Sequence, residues 1–218
     1  MRLFSTVGTS PMTSSAWPSV GIFARLGGSF DHLAMGGSLC SRTGTTLTPA
    51  SQPRIPVWQV AETYIRVAGE WTYLYRAVDG RGATVEFYLS RTRDVESAKL
   101  FLRKAMADQR LLPPVMMVTD GNPTYPIAVR EMQREKKLPL SCRLRISHSE
   151  NNLIEQDHRG IQRRADAKQH FRSFGGATHT IAGYEAMHMV RKAQVSECKR
   201  GDAAGQAQFV HRLLTQAA

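Results

Sequence analysis

Two stretches of the chain decide its fold: Val115-Met-Met-Val-Thr-Asp-Gly-Asn-Pro-Thr-Tyr125 and Asn151-Asn-Leu-Ile-Glu-Gln-Asp-His158. In the first, a continuous apolar run ends at Asp120 and is followed by the turn-forming residues Gly121, Asn122 and Pro123. This pattern predicts a short buried strand with a carboxylate at its end. The second stretch predicts the start of a helix that carries Glu155.

The two carboxylates stand 35 positions apart in the chain. A carboxylate at a strand end and another on a later helix suit a site for one or two divalent metal ions. Hard oxygen ligands favour Mg²⁺ or Mn²⁺, and paired ions clamp the attacking and leaving oxygens in phosphoryl transfer. We therefore take Asp120 and Glu155 as candidate catalytic residues and metal ligands.

Five segments in order resemble the DDE transposases of bacterial insertion sequences, in the IS-six group. They are Trp58-Gln-Val-Ala-Glu-Thr-Tyr-Ile-Arg-Val-Ala-Gly69, Tyr73-Leu-Tyr-Arg-Ala-Val-Asp79, Thr119-Asp-Gly-Asn-Pro-Thr-Tyr125, Asn151-Asn-Leu-Ile-Glu-Gln-Asp-His158 and Phe171-Arg-Ser-Phe174. The likeness runs from about Val57 to the C-terminus, roughly three quarters of the chain.

The resemblance implies an α/β fold with a ribonuclease-H-like mixed sheet flanked by helices, over residues 57–195. It also implies a two-metal site with Mg²⁺ or Mn²⁺, cleavage and joining of DNA ends, a DNA partner and a homo-oligomer. Asp120 and Glu155 match the second and third carboxylates of the family's triad. The first stands just before Glu-Thr-Tyr, where this sequence has Ala61. The resemblance therefore implies a transposase with impaired catalysis.

Two nearby carboxylates are candidates to replace the missing one. Glu62 is adjacent in sequence, but side chains alternate along a strand, so it is expected to point away from the face of Ala61. Asp79 is expected near the position opposite Ala61 if the intervening turn centres near Gly69. A structural role in the turn Asp79-Gly-Arg-Gly82 is the favoured interpretation of Asp79, because the family that this sequence resembles has this residue as well as its catalytic aspartate.

Basic residues follow Glu155 along the predicted helix and beyond it, with Phe171 and Phe174 between them. Such a pattern is typical of a surface that binds DNA phosphates and stacks on bases. Alternatively, the basic residues form a solvent-exposed face and the phenylalanines pack in the core. The family resemblance favours DNA contact. The candidate DNA-contacting residues are His158, Arg159, Arg163, Arg164, Lys168 and Arg172.

Residues 1–56 differ in character, because serine, threonine, glycine and proline make up half of them. Sparse, aperiodic apolar residues cannot offset the ordering entropy, so this segment is expected to be disordered. An organelle transit peptide is a less favoured interpretation of its arginines and serines. No recognition-helix pattern appears there, so we expect the family's N-terminal DNA-binding segment to be truncated or replaced.

Composition narrows the class of protein further. The formal net charge of +11 over 218 residues suits a polyanionic partner. Cys40, Cys142 and Cys198 form no CxxC pair and are expected to be reduced thiols. No apolar run reaches the roughly 18 residues that span a membrane. We expect a cytoplasmic, nucleoid-associated bacterial protein.

Periodicity predicts the main elements. Three strands at 57–67, 71–78 and 83–89 are joined by short turns, and a helix capped by Asp94 follows over 95–106. Another helix is expected from Pro123 to about Glu135, a strand over 140–146 with an arginine face, and a helix from Asn151 to about Ala165. Gly175-Gly176 is expected to break the chain before a helix over 178–194. Residues 196–218 are expected to form a polar tail, with a short helix over 206–214.

A competing class stays open at this stage. The chain is either an impaired transposase or a non-catalytic DNA-binding remnant that poisons oligomers of an intact transposase; a degenerate product with no role is a third case. Metal-dependent nicking distinguishes an enzyme, and salt-sensitive DNA retention without a metal requirement distinguishes a binding protein.

Overall fold

A computed structural model of the chain describes residues 56–107, 112–147, 149–167, 171–195 and 197–216. The predicted disorder of residues 1–56 lies, apart from Pro56, outside the described residues, as does Cys40. Cys142 and Cys198 are buried free thiols. Within the described ranges, no helix is long and apolar enough to cross a membrane.

Three antiparallel strands open the fold: β1 over Val57–Val67, β2 over Glu70–Asp79 and β3 over Thr84–Ser90. The tight turn between β1 and β2 is possible because Ala68 and Gly69 both adopt positive φ angles, of 51° and 85°. At the next turn, the Asp79 carboxylate accepts hydrogen bonds from the backbone N–H groups of Arg81 and Ala83, each at 2.9 Å. The three predicted strands are confirmed.

Two short strands complete the sheet on the other side of β1. β4 spans Met116–Thr119 and β5 spans Arg143–Ile146, and each runs parallel to its neighbour. The strand order is β3-β2-β1-β4-β5. A mixed five-stranded sheet of this order, with helices on both faces, is the ribonuclease-H-like arrangement, so the predicted fold class is confirmed.

The last strand is shorter than the sequence pattern predicted. The ladder begins only where the Arg143 N–H donates to the Val115 carbonyl at 2.9 Å. Ahead of it, the Cys142 N–H donates to the Pro139 carbonyl at 3.0 Å, which closes a turn, and Leu140 is 82% exposed. The alternating pattern from 140 to 142 therefore belongs to a turn and not to a strand.

Helices α1, over Val95–Met106, and α2, over Thr124–Arg134, cover one face of the sheet. The Asp94 side chain caps α1 by accepting from the Ser97 N–H at 2.7 Å, as predicted. The largest apolar core lies beneath these two helices and includes Trp58, Val60, Tyr75, Phe101, Leu102, Tyr125 and Met132.

Helices α3, over Asn152–Ala167, and α4, over Phe174–Arg191, cover the opposite face. A second core joins them to the sheet through Ile65, Leu74, Ile161 and Ile181, among others. The prediction that Gly175-Gly176 breaks the chain was wrong. Ser173 caps α4 by accepting from the Gly176 N–H at 3.2 Å, so both glycines lie in the first turn.

The final helix, α5, spans Ala203–Gln216 and is longer than predicted. Its Phe209 is buried in a small cluster with Val190, Val195 and Cys198. The segment expected to be a polar tail therefore includes a helix attached to the end of α4 through apolar contacts.

Candidate active site

The first feature of the site is the neighbourhood of Asp120 and position 61. β1 and β4 pair in parallel, and their last paired residues are Val60 and Thr119. The next position of the two chains is therefore Ala61 and Asp120. Residues aligned in adjacent strands share a face of the sheet, so this register brings position 61 beside Asp120.

Helix α3 carries Glu155, and its first turn lies over β1. Ile154 packs with Ala61 and Val78, and its backbone N–H donates to Gln59 Oε1 on β1 at 3.2 Å. These two contacts fix the first turn of α3 over the strand that carries Ala61. Glu155 follows directly, with its side chain 52% exposed. The convergence of Asp120 and Glu155 stays a prediction, with Asp120 following β4 beside β1 and Glu155 in the turn of α3 that is seated on β1.

Glu155 also has a polar neighbour within its own helix. His158 Nδ1 lies 3.9 Å from Glu155 Oε2, and interaction with His158, together with the charge of Arg159, holds the pKa of the Glu155 carboxyl below its usual value. This keeps Glu155 ionised and ready to accept a cation. The opposite ring nitrogen of His158, Nε2, is buried and meets no hydrogen-bonding partner among the described residues.

Position 61 itself is apolar and closed. Ala61 is fully buried, and its cross-strand partner on β2 is Arg76. Asp79 instead stands opposite Trp58 and binds the turn through its carboxylate. The expectation that Asp79 lies near the position opposite Ala61 was wrong, because the turn occupies Ala68 and Gly69 and therefore sets Asp79 three residue pairs away from Ala61.

Glu62 lies on the opposite face of the sheet from Ala61, as predicted. Its carboxylate accepts hydrogen bonds from the Tyr125 hydroxyl at 2.8 Å, the Asn122 side-chain amide at 2.5 Å and Arg93 Nε at 2.6 Å. These contacts link β1 to the loop that follows Asp120, where the Asn122 N–H donates to Asp120 Oδ1 at 3.2 Å. Glu62 therefore supports the Asp120 loop from behind the sheet.

A buried charge network lies next to position 61. Arg76, with no exposed side-chain area, donates through Nε and Nη2 to Glu185 on α4, at 2.6 and 2.9 Å. Nη2 also donates to Asp157 on α3 at 2.7 Å. Asp157 is joined in turn by His188 Nε2 and Lys192 Nζ, each at 2.7 Å. The network ties β2, α3 and the C-terminal end of α4 together.

Asp157 is ionised in this setting. Burial opposes its charged form, but the hydrogen bond with His188 and the charges of Arg76 and Lys192 outweigh burial and hold its pKa well below the usual value. The importance of Arg76 was missed, because its partner Glu185 lies 109 positions away in sequence.

The donor set does not fit a two-ion site. Asp120 and Glu155 offer the hard oxygen ligands that Mg²⁺ or Mn²⁺ prefers. Among the residues that the structure describes, however, no group of three or more His, Cys, Asp or Glu side chains is arranged to hold a metal ion. Ala61, beside Asp120, has only a methyl group and supplies no donor atom for a metal ion. Two carboxylates can bind one ion weakly, but they do not clamp a pair.

The predicted DNA-contacting residues differ in accessibility. Arg159, Arg163 and Arg172 are exposed, and Arg164 is partly buried, with its guanidinium 5.8 Å from the ring centre of Tyr184. His158 is only 2% exposed, which does not suit a direct contact with DNA. Lys168 lies outside the described residues. On β5, Arg143 is exposed and Arg145 pairs with Glu150 at 2.8 Å.

Fold and site together define a ribonuclease-H-like domain with two candidate metal-binding carboxylates, Asp120 and Glu155. The model of a family described as a DDE domain, that of IS240-type transposases, matches residues 56–194. The chain belongs to this DDE domain family, which confirms the resemblance drawn from its motifs.

Similar proteins carry transposase names. The chain is 35% identical over 135 residues to the transposase for the insertion sequence-like element IS431mec of Staphylococcus aureus, covering 62% of this chain and 58% of that protein. The same figures hold for the transposase of IS257 in transposon Tn4003, also from Staphylococcus aureus. The matched part of the chain therefore spans 58% of the length of these relatives.

Solved structures with a similar fold include viral integrase cores. The catalytic core domain of BIV integrase matches with a TM-score of 0.46 and 14% identity, over 75% of this chain and 99% of that chain. The HTLV-2 integrase core in complex with magnesium matches with a TM-score of 0.38 and 16% identity, over 49% and 66% of the two chains. Our fold assignment rests on the strand order and not on these likenesses.

Proposed function

We propose that this chain is the catalytic domain of an insertion-sequence DDE transposase that binds DNA but has lost most of its strand-cleaving activity. The observation that carries the proposal is the register of β1 and β4, which sets Ala61 beside Asp120. In this reading, Ala61 stands where the first of three metal-binding carboxylates belongs. Asp120 and Glu155 remain as the other two.

The expected loss of activity follows from the chemistry of the site. A carboxylate at position 61 would supply an anionic ligand for Mg²⁺ or Mn²⁺ beside Asp120, and Ala61 supplies none. A divalent ion supplies several kcal/mol of stabilisation to the charge that develops in phosphoryl transfer. Because each 1.36 kcal/mol corresponds to about tenfold in rate, we expect activity at least about a hundredfold below that of an intact relative.

DNA is the proposed substrate and partner. The chain has a formal net charge of +11, and exposed arginines on α3 lie beyond Glu155 on the same helix. Arg159 is one turn from Glu155, and Arg163 is one turn further. A DNA strand held with its phosphate at Asp120 and Glu155 would extend along these side chains. We further propose that the protein is a homo-oligomer and acts on the bacterial nucleoid.

Nicking of supercoiled plasmid DNA tests the proposal. The native chain and its Ala61→Asp variant are compared with Mg²⁺, with Mn²⁺ and with a chelator, and the double variant Ala61→Asp with Glu155→Gln is the matched control. We expect metal-dependent nicking by Ala61→Asp, little by the native chain and none by the double variant.

Two outcomes contradict the proposal. Equal nicking by the native chain and Ala61→Asp would show that the site is complete without a carboxylate at position 61. Nicking that persists in the double variant would show that the activity does not come from this site.

A second candidate is a non-catalytic DNA-binding protein that enters oligomers of an intact transposase and inactivates them. The missing donor at Ala61 favours this role, because folding and DNA contact do not depend on it. Metal dependence distinguishes the two candidates: an impaired enzyme retains weak nicking that requires Mg²⁺ or Mn²⁺, and a non-catalytic protein retains DNA in a salt-sensitive manner without nicking it.

A further inference from the structure

The hairpin of β1 and β2 reaches beyond the part of the sheet that holds Asp120. β4 pairs with β1 only as far as Val60, whereas β1 continues to Val67. At about 3.3 Å per residue, the hairpin extends roughly 20 Å past the last β1–β4 pair. Tyr64 and Arg66 alternate with Ala61 along β1, so the hairpin end presents them on the face of the sheet opposite Ala61.

One face of this hairpin end carries three aromatic rings. Tyr64 and Tyr73 are cross-strand partners with ring centres 5.4 Å apart, and the ring centre of Trp71 lies 6.1 Å from that of Tyr64. Both contacts are edge-to-face. Trp71 is 54% exposed and Tyr64 is 46% exposed, so neither ring is used mainly for core packing.

Arginines accompany the two exposed rings. The Arg66 guanidinium lies 4.9 Å from the ring centre of its cross-strand partner Trp71. The Arg93 guanidinium lies 5.7 Å from the ring centre of Tyr64, and its Nη1 donates to the Tyr64 hydroxyl at 3.0 Å. Arg93 is paired with Glu62, whereas Arg66 makes no ion pair with any described residue. We call Tyr64, Arg66, Trp71, Tyr73 and Arg93 the hairpin platform.

The chain brings a further cation to the hairpin. The Ala68 N–H donates to the Phe171 carbonyl at 2.6 Å, and Phe171 forms a parallel bridge with Val67. Arg172, the next residue, is exposed. The basic segment that the sequence pattern singled out is thus attached to the turn of the hairpin, beside the platform.

We propose that the hairpin platform stacks unpaired DNA bases and holds a single-stranded segment on the face of the sheet opposite Ala61. Every base has a π-face, so exposed aromatic rings beside cations bind single strands with little sequence preference. Guanidinium planes stack on bases as well, and the unpaired charge of Arg66 suits a phosphate backbone better than a neutral protein surface. The inference rests on the proposed function only in taking DNA as the partner.

Binding of single-stranded DNA tests the platform directly. Fluorescence anisotropy measures the affinity of the full chain for a labelled oligothymidylate of about 15 nucleotides, a length that covers one typical single-strand site. The same proteins are titrated with a labelled DNA duplex. The variants are Trp71→Ala, Tyr64→Ala and Arg66→Ala. Leu140→Ala, at an 82% exposed apolar position, and Arg130→Ala, at an exposed cation on α2, are the matched controls.

We expect Trp71→Ala to weaken binding of the single strand by about tenfold, the loss of one base–aromatic stack. Tyr64→Ala and Arg66→Ala should weaken it by smaller factors. Duplex binding should change less than twofold, and both controls should match the native chain. If Trp71→Ala does not fold, the pair Trp71→Tyr and Trp71→Leu replaces it, and only the leucine variant should lose affinity.

Three results would contradict the proposed role of the hairpin platform. The variants would bind the single strand as the native chain does, or they would lose affinity for the duplex equally. The third is a change of oligomeric state in gel filtration without a loss of single-strand affinity. The last would identify a surface between copies of the chain. Failure of the proposed function looks different, because the native chain would then hold neither the duplex nor the oligothymidylate.

Discussion

Ala61 on β1 stands directly opposite Arg76 on β2, and Arg76 is completely buried. Two carboxylates, from Asp157 and Glu185, accept three hydrogen bonds from the guanidinium, while its Nη1 atom has no partner among the described residues. The candidate active site and the charge network are thus adjacent. The fold can keep this network intact while position 61 carries no charge.

Removal of Arg76 should destabilise the fold strongly. Arg76→Leu leaves Glu185 and Asp157 buried without their shared cation, and loss of one partner of a buried ion pair costs about 3–5 kcal/mol. Urea unfolding followed by circular dichroism measures the change in the free energy of unfolding.

The matched control is Arg103→Ala, which removes an ion pair to Glu135 whose two side chains are each 33% exposed. A surface pair of this kind contributes less than about 1 kcal/mol. If Arg76→Leu costs no more than Arg103→Ala, the network does not hold α3 and α4 on the sheet.

Acidification should lower the free energy of unfolding, because it protonates Asp157. Its pKa in the folded chain lies below the unfolded value of about 3.9. The ionised carboxylate therefore stabilises the fold fully above that unfolded value, and the stabilisation is lost as the pH falls through it towards the folded pKa. Asp157→Asn should lower stability at neutral pH and flatten the dependence between about pH 5 and pH 2.

Urea midpoints measured across this pH range test the role of Asp157, with Asp166→Asn as the control at an exposed aspartate of the same helix. Asp166→Asn should follow the native curve. A native slope in Asp157→Asn would mean that other carboxylates account for the acid sensitivity.

Glu62 should act on stability and not on metal binding. Glu62→Gln replaces an acceptor of three hydrogen bonds and should cost about 1–3 kcal/mol. Plasmid nicking by the Ala61→Asp variant should survive Glu62→Gln within about tenfold, a barrier change of about 1.4 kcal/mol. If Glu62→Gln abolishes nicking as fully as Glu155→Gln does, Glu62 is a ligand and the assignment of the two sheet faces to the site is wrong.

Exposed arginines of α3 should set the salt dependence of duplex binding. Arg159→Ala and Arg163→Ala should each weaken binding and lower the slope of log affinity against log salt by about 1. Arg130→Ala, at an exposed cation on α2, should leave the slope unchanged. Equal effects at all three positions would indicate that DNA binds through net charge without a preferred face.

The sequence allowed the fold to be predicted, and with it Asp120 after a strand and Glu155 at the start of a helix, because these depend on local patterns. An apolar run that ends in Asp120 and turn residues is a strand end, and the context of Glu155 is a helix start. The strand position expected to pair with Asp79 was wrong, because the turn at Ala68 and Gly69 sets every cross-strand pair. Shifting the turn by one residue changes each partner by two.

Contacts between residues that lie far apart in the sequence could not be predicted from such local patterns. Arg76 occupies an ordinary alternating position in β2, and only the arrival of Glu185 from α4 makes it the centre of a buried network. His158 was assigned to DNA contact from its spacing to Glu155 on the helix. Its burial depends on how α3 rotates against the sheet, which the seating of Ile154 decides.

We propose that a carboxylate at position 61 would complete a metal site formed with Asp120 and Glu155. Titration of Mn²⁺, followed by electron paramagnetic resonance, tests it without relying on activity. The proteins are the native chain, Ala61→Asp, Ala61→Asp combined with Asp120→Asn, and Leu140→Asp, which adds a carboxylate at a remote exposed position. We predict that Ala61→Asp binds Mn²⁺ at least about tenfold more tightly than the native chain, a gain of about 1.4 kcal/mol. Asp120→Asn should remove this gain, and Leu140→Asp should not produce it. Equal affinity in the native chain and Ala61→Asp would contradict the claim.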